Sequence, residues 1–353
     1  MEAVFISKLK PFLDSVAENM DVYVPKKVGK HFVYSKYGPT SDSAVEFNDI
    51  RSCMPVKEFL LPMREQVAAL PQPVEPEEVK PFAVFGLKEC DLCSIKILDK
   101  VFANAEDDFV DPFYTVRREK MFIICSDCNQ AGGSCFCNLF SGLGFASDGF
   151  DLNVSEIKDG FIIEPGSQKG KDFIERYSEL FASVPTNLLA ERDENRARVQ
   201  KQLEQNNTDL QLNASLKEIV QDNQESEIFD IEAKNCIECQ ACTRVCPTCH
   251  CFYIYDTKQK DYFAKMKMWD SCMRQAYAAV AGGENPNKIL GDRIKHRFLH
   301  KFVYFFERYG IDMCVGCGRC VDADAGGIDI RKVLKRLREE PKDKQKKHVK
   351  AAK

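Results

Sequence analysis

Four cysteines at fixed spacing, Cys236, Cys239, Cys242 and Cys246, closed by Pro247, constrain this chain more than any other feature. They read CIECQACTRVCP, a C-x2-C-x2-C-x3-C-P run. Gaps of two residues let a tight loop wrap three thiolates around one face of an iron–sulfur cube. The fourth cysteine lies further along and points toward a second cube, and the proline keeps the chain from folding back over the first. Structural zinc or inert buried cysteines account for this spacing far less well.

A second run lies near the C-terminus. Cys314, Cys317 and Cys320 read CVGCGRC, with Gly316 and Gly318 permitting close backbone approach. Its fourth position holds Asp324, followed by Ala325, instead of Cys-Pro. In two-cluster ferredoxins the fourth cysteine of each run serves the cluster of the other. Cys246, Cys314, Cys317 and Cys320 therefore make one complete set. Cys236, Cys239 and Cys242 are left with Asp324, a harder ligand than thiolate, or with another residue. Cys249, Cys251 and Cys272, in CPTCHCF and WDSCM, are the other candidates for that fourth place. The alternative for Asp324 is a solvent-facing carboxylate with no ligand role. His250 reads as a packing or hydrogen-bonding residue, and Cys53 as a buried small apolar one.

Composition agrees with metal ligation. The chain has 17 cysteines in 353 residues, and at that length a core needs no disulfide scaffold. The N-terminal MEAVFISKLKPFLDSVAENM reads as an amphipathic helix rather than a secretory signal. No apolar run approaches membrane-spanning length. Many thiols without a secretory signal imply a reducing, cytoplasmic setting. A net charge of −4 argues against nucleic acid as the main partner.

The expected fold class is an α/β N-terminal domain, then a helical connector, then a split two-cluster ferredoxin-like α+β domain. Residues 1–186 carry short strand candidates at VYVP and HFVY, and a helix is expected over 56–67. The apolar runs FAVF and MFIIC read as buried strands, and FIIEP as another. Between them DLCSIKILDKVF has helical spacing with Asp91 as a cap, and Asp111 before Pro112 opens a second helix, which suggests a crossover unit. Residues 187–230, rich in Gln, Asn, Glu and Arg, form a polar helical connector. The cluster domain spans 231–330, with a helical insertion over 252–310 that holds Trp269 and a basic stretch, DRIKHRFLHKFVYFFERYG. Residues 331–353 read as a basic, solvated tail.

The N-terminal domain has its own cysteines: Cys90 and Cys93 after FAVF, Cys125 and Cys128 at the end of MFIIC and beyond it, then Cys135 and Cys137 in AGGSCFCN. If the two strands are neighbours, all six gather at the carboxyl end of the sheet, where α/β folds build sites. Gly132 and Gly133 would let the loop curl around a cluster. A third iron–sulfur cluster is the favoured reading over structural zinc or no metal. SGLGFASDG is too weak a glycine pattern to support a flavin pocket.

Taken together, CIECQACTRVCPTCHCF, WDSCM, HRFLHKFVYFFERYG and CVGCGRC…GGIDI resemble the iron–sulfur beta subunits of sulfhydrogenases and, equally, the corresponding iron–sulfur subunits of anaerobic sulfite reductases. MPVKEFLLPMREQV, GLKECDLCSIKILDKVF, DPFYTVRREKMFIICSDC and GGSCFCN follow the same order in that family, so the resemblance covers nearly the whole chain. It implies a soluble electron-wiring subunit with two or three 4Fe–4S clusters. The implied partners are a flavoprotein subunit that exchanges hydride with NAD(P)H and a hydrogenase, sulfite reductase or heterodisulfide-reductase-type module. Flavin is expected on the partner. The resemblance also selects Cys90, Cys128, Cys135 and Cys137 as the N-terminal set and leaves Cys93 and Cys125 as extras. Its departure is Asp324 with Ala325.

The expectation is thus a cytoplasmic, non-catalytic electron-transfer subunit that needs no nucleophile or general base. The alternative is a catalytic reductase subunit with a substrate-binding cluster or flavin in the N-terminal domain. Neither nucleic acid nor membrane is expected as a partner.

Overall fold

In the computed structural model, the described residues are 2–38, 47–71, 74–76, 78–104, 110–140, 142–210 and 214–340. The chain divides into two compact units, Met1–Leu61 with Val74–Asn206, and Pro62–Pro73 with Asn207–Lys353. Among the described residues the strands in chain order are β1 (Val4–Ile6), β2 (Asp21–Val28), β3 (His31–Lys36), β4 (Arg64–Leu70), β5 (Phe82–Leu87), β6 (Met121–Ser126), β7 (Leu152–Ile157), β8 (Gly160–Pro165), β9 (Ala182–Ser183), β10 (Phe252–Lys258) and β11 (Phe263–Trp269). No helix among these residues is long and apolar enough to cross a membrane.

The first unit is built on an eight-stranded sheet, β3-β2-β5-β6-β7-β8-β1-β9. Its middle strands β2, β5, β6 and β7 are parallel, and antiparallel strands extend it on both sides. All six residues of β5, and all six of β6, are buried, because both faces of the sheet are covered. Phe82 and Val84 pack on one side with Leu92, Ile95 and Leu98; Ala83 and Phe85 pack on the other with Phe12, Leu13 and Phe173. The crossover from β5 to β6 runs through helices Glu89–Phe102 and Pro112–Lys120. Asp111 caps the second as the sequence indicated, with Oδ1 accepting from the backbone N–H of Phe113 and Tyr114. The first helix begins two residues before Asp91, whose carboxylate reaches back to accept from the Lys88 N–H instead of sitting at the cap itself.

The second unit has a three-stranded antiparallel sheet, β10-β11-β4, and a set of helices. Three expectations need correction here. The helix expected over 56–67 is a single turn, Lys57–Leu60, followed by β4; pairing with β11 overrides local helical spacing and draws residues 62–73 into the second unit. The insertion over 252–310 opens on the β10–β11 hairpin, whose alternating half-buried and exposed residues in β10 show strand periodicity, and becomes helical only later. The expected helical connector 187–230 is helical, a long helix Thr186–Asn206 counted with the first unit and shorter helices counted with the second. The basic tail starts as the helix Ile330–Glu339, which buries Ile330, Val333, Leu334 and Leu337, so its first part packs rather than frays. Residues 341–353 of that tail lie outside the described residues.

Candidate iron–sulfur centres

In the second unit the two cysteine runs fold into matching loops. Glu238 and Gln240 adopt left-handed backbone, φ 56° and 62°, and are the non-glycine residues with positive φ among the described residues. Gly316 and Gly318 occupy the same two places in the second run, with φ 62° and 73°. Each loop then enters a short helix, Ala241–Arg244 or Arg319–Ala323. Left-handed turns of this kind direct successive backbone N–H groups inward and create an anion-binding concavity.

The loops lie against each other in the crossed arrangement. Burial lifts the Cys236 and Cys242 thiols, and the neighbouring Asp324 carboxylate and Cys239 thiol lift them further. Burial pushes Cys314 up to about 12 and Cys320 to about 11, with Cys246 acting on both and Cys317 on Cys320. Asp324 thus sits beside Cys236 and Cys242, and Cys246 beside Cys314 and Cys320. A small cavity is lined by Cys236, Cys242, Cys320, Asp324 and Arg297 with apolar neighbours that include Phe298 and Ile330. Asp324 Oδ1 accepts from the N–H of Gly326 and Ile328 at 2.9 and 3.2 Å. The half-buried carboxylate therefore pins its own turn while lining the cavity.

One helical stretch, Leu290–Leu299 continued by a π-helical turn at His300–Tyr304, supplies what the sequence reading overlooked. Arg293, Arg297 and Lys301 recur every four residues, on one face, and are only 3%, 6% and 2% exposed. Arg293 donates to Glu238 Oε2 at 2.9 Å. Arg297 reaches the Cys242 carbonyl at 3.4 Å, while its Nε is buried without a hydrogen-bond partner. Lys301 Nζ donates to Cys246 Sγ at 3.3 Å, to Thr248 Oγ1 at 3.3 Å and to the Met313 carbonyl at 3.2 Å. The widened turn leaves the Lys301 carbonyl to accept from Met313 N–H at 2.9 Å. Burial alone would drive Lys301 toward its neutral form; the thiols of Cys246, Cys249 and Cys314 outweigh that and hold it charged. The signal available in the sequence was basic residues at spacing four on one face of the helix.

These residues fit 4Fe–4S clusters. The donor set is soft sulfur. Buried cations of this number are costly unless anionic charge faces them, and thiolate-ligated clusters are anionic. The orphaned Arg297 Nε marks the same place. Among the described residues no three His, Cys, Asp or Glu side chains close on a point that would hold a single ion.

The remaining cysteines of this unit occupy separate positions. Cys249 is buried in hydrogen-bond contact with Cys246. Cys251 and Cys272 contact each other. His250 Nδ1 lies 2.9 Å from the Thr248 carbonyl, a hydrogen-bonding role as expected, and its ring stands 6.2 Å from that of His300.

In the first unit, Cys128, Cys135 and Cys137 stand close enough to act on one another, with burial lifting Cys128 to about 12 and Cys137 well above its usual value. Cys90 is buried in the first turn of the helix after β5. Cys93, lifted to about 11 by burial and then by Glu89, faces Lys96 and Asp148 instead. Cys125 donates its thiol to the Leu87 carbonyl at 2.9 Å. A Cβ at Gly132 would press on Cys135 Sγ at 3.1 Å, whereas one at Gly133 would meet nothing within 4 Å. Two unforeseen groups flank the trio. Lys88, fully buried, donates to Ser126 Oγ at 2.8 Å and the Asp127 carbonyl at 2.7 Å. Glu89 accepts from the N–H of Leu143 and Gly144 at 2.7 and 3.1 Å, and faces Cys128 and Cys137. Cys53 is only partly buried, its backbone N–H bonded to the Phe32 carbonyl at 2.9 Å.

Residues 235–328 match the family described as a 4Fe-4S dicluster domain. Over the whole chain, sulfhydrogenase 2 subunit beta of Pyrococcus furiosus is 33% identical across 336 residues, which cover 93% of this chain and 95% of that protein.

Proposed function

Since the chain belongs to the sulfhydrogenase subunit beta family and carries a 4Fe-4S dicluster domain, we propose that it is a cytoplasmic electron-transfer subunit. It would relay electrons between a partner that handles flavin and NAD(P)H and a hydrogenase, sulfite reductase or heterodisulfide-reductase-type module. Cys246, Cys314, Cys317 and Cys320 would hold one 4Fe–4S cluster. Cys236, Cys239 and Cys242 would hold another, with Asp324 as its fourth ligand. Cys90, Cys128, Cys135 and Cys137 would hold a third. Clusters supply one-electron storage at a potential set by charge, hydrogen bonding and burial.

The observation that carries this reading is the stripe of Arg293, Arg297 and Lys301 laid along the two loops. It offers fixed, buried positive charge, which the anionic clusters of an electron relay would need. Its outer end is the first loop, where Cys239 and Ile237 (63% exposed) face solvent; a partner cluster would approach there.

The test is iron and labile-sulfide analysis of anaerobic, untagged native protein together with identification of the subunits that copurify. About four irons and four sulfides per cluster are expected; zinc without sulfide would end the proposal. For Asp324, mild oxidation should convert one cluster to a three-iron form, because a carboxylate ligand is hard and exchangeable. Asp324→Cys should suppress that form. Identical spectra of wild type and Asp324→Cys, before and after oxidation, would instead give the fourth position to Cys249, Cys251 or Cys272.

A further inference from the structure

Beyond the two ferredoxin-type sets, the second unit holds a pair of thiols that the electron-relay reading does not use. Phe252 and Trp269 form the last rung of the β10–β11 ladder, and one step further Asp270 N–H donates to the Cys251 carbonyl at 2.8 Å. The chain then turns sharply. Ser271 N–H donates to Asp270 Oδ1 at 2.8 Å, Met273 N–H to Ser271 Oγ at 3.1 Å, and Arg274 Nε to Asp270 Oδ1 at 2.7 Å. Ser271 Oγ is also 2.8 Å from Thr243 Oγ1, in the helix that follows the first cysteine loop. This turn holds Cys272 in side-chain hydrogen-bond contact with Cys251. The Tyr277 hydroxyl makes a second such contact with Cys251. Cys272 is buried, whereas Cys251 is only partly so.

We propose that Cys251 and Cys272 are a redox-active dithiol that exchanges with low-molecular-weight disulfides. The arrangement assigns different tasks to the two sulfurs. Cys251, the accessible one, is contacted by the Cys272 side chain and by the Tyr277 hydroxyl. It attacks one sulfur of an external disulfide RSSR, its own proton leaves with the released RSH, and a mixed disulfide remains on Cys251. Cys272, shielded from solvent, attacks the Cys251 sulfur of that mixed disulfide and passes its proton to the second RS⁻. The products are a Cys251–Cys272 disulfide and two RSH. The pair has given up two electrons and two protons, and RSSR has taken up both. Excess thiol drives the sequence backward through the same mixed disulfide. Thiols already in contact across a pinned hairpin mouth need little movement to close, since bridging demands Cα atoms within about 7 Å.

The experiment uses full-length, anaerobically purified protein in a series of oxidised-to-reduced glutathione ratios, quenched in acid. Differential alkylation and peptide mass spectrometry then read each cysteine. Cys251 and Cys272 should lose alkylation together, with one midpoint, as a linked peptide pair appears. Cys272→Ser should trap glutathione on Cys251, and Cys251→Ser should abolish the adduct on Cys272. Iron and sulfide per chain should match wild type in both variants. The proposal falls if both thiols alkylate fully at every ratio, if their midpoints differ, or if either variant loses iron, which would make the residue a cluster ligand. The ratio series is read on the wild-type chain, so it decides even where a variant fails to fold. It also stands apart from the relay reading, which an iron-free native protein would sink while leaving this result intact.

Discussion

At Cys236–Cys242 the two left-handed turns are made by Glu238 and Gln240; at Cys314–Cys320 the corresponding positions are Gly316 and Gly318. A glycine takes that conformation without steric penalty, whereas a residue with a Cβ is strained there. The surroundings differ as well. In the second loop Val315 is buried and Cys317 only 8% exposed, while in the first Ile237 and Cys239 face solvent. The first loop gains something for its strain, because Glu238 binds Arg293 at the start of the cationic stripe. The second has no side chain at the equivalent place and is instead clasped through Lys301 and the Met313 backbone. The comparison suggests a division of labour. The glycine loop is part of the core, and the other is an outward-facing loop held by the Arg293–Glu238 pair and by Arg297 at the Cys242 carbonyl.

The largest expected effect concerns iron. Cys317→Ala and Cys239→Ala should each remove about four irons per chain, the content of one 4Fe–4S cluster. They should differ in stability. Loss of the buried Cys317 should lower the thermal midpoint clearly more than loss of the exposed Cys239, since the cluster of the glycine loop is enclosed by the fold. Equal midpoints in anaerobic calorimetry would break the comparison, and unchanged iron in a folded Cys317→Ala protein would remove the ligand assignment behind it.

Next in size is the charge on Lys301. Its Nζ touches Cys246 Sγ and acts on Cys314, both in the set of the glycine loop. A fixed cation favours the more negative, reduced state. Lys301→Met keeps the stem but drops the charge, so that set's potential should fall, by on the order of 100 mV for a charge a few ångströms away at intermediate dielectric. The set of Cys236, Cys239 and Cys242 should move far less. Potentiometric titration followed by electron paramagnetic resonance would separate the two, and equal shifts would show that the stripe acts as one distributed charge.

Much of this was legible from spacing. The placement of Cys246 beside Cys314 and Cys320, and of Asp324 beside Cys236 and Cys242, was legible from the two matching runs. The buried strands β5 and β6 were legible because the short apolar runs FAVF and MFIIC, bounded by a glycine or by polar residues, leave few alternatives. β4 was not: MREQVAAL has helical spacing, and only pairing with β11, about two hundred residues away in sequence, makes it a strand. β7, in LNVSEI, was also missed, since its burial comes from sheet neighbours on both faces rather than from composition. Arg293, Arg297 and Lys301 read only as part of a basic helical stretch; charge in a helix is ordinarily exposed, and their burial makes sense only opposite thiolates that fold in from elsewhere.

A smaller effect tests how firmly the region after the glycine loop is anchored. Asp329 caps the helix Ile330–Glu339, with Oδ1 accepting from the Arg331 backbone N–H at 2.9 Å and Oδ2 from its guanidinium at 2.8 Å. Burial would raise its pKa, but these bonds outweigh that and hold the carboxyl below its usual range. A depressed carboxyl pKa contributes stability that is complete above the unfolded value and is lost as pH falls through the folded one. Asp329→Ala should therefore cost about 1 kcal/mol at neutral pH, the usual worth of such a cap. The difference from wild type should shrink as acid protonates Asp329, below the ordinary carboxylate range. A penalty that persists undiminished in acid would mean that packing, not the charged cap, carries the effect.

The smallest effect addresses the left-handed turns themselves. Gln240 is held at φ 62° and its side chain makes only one long contact, accepting from Arg244 at 3.4 Å. Gln240→Gly removes the Cβ strain of the left-handed region, about 1 kcal/mol, but frees the unfolded chain by somewhat less. The net gain should be about 0.5 kcal/mol, read as a higher denaturant midpoint with unchanged slope. The reciprocal Gly318→Gln should lose more than that, because it introduces both strain and a long side chain into the buried loop. If the two substitutions gave effects of equal size and opposite sign, backbone strain alone would distinguish the loops, and the difference in burial between them would carry no energetic weight.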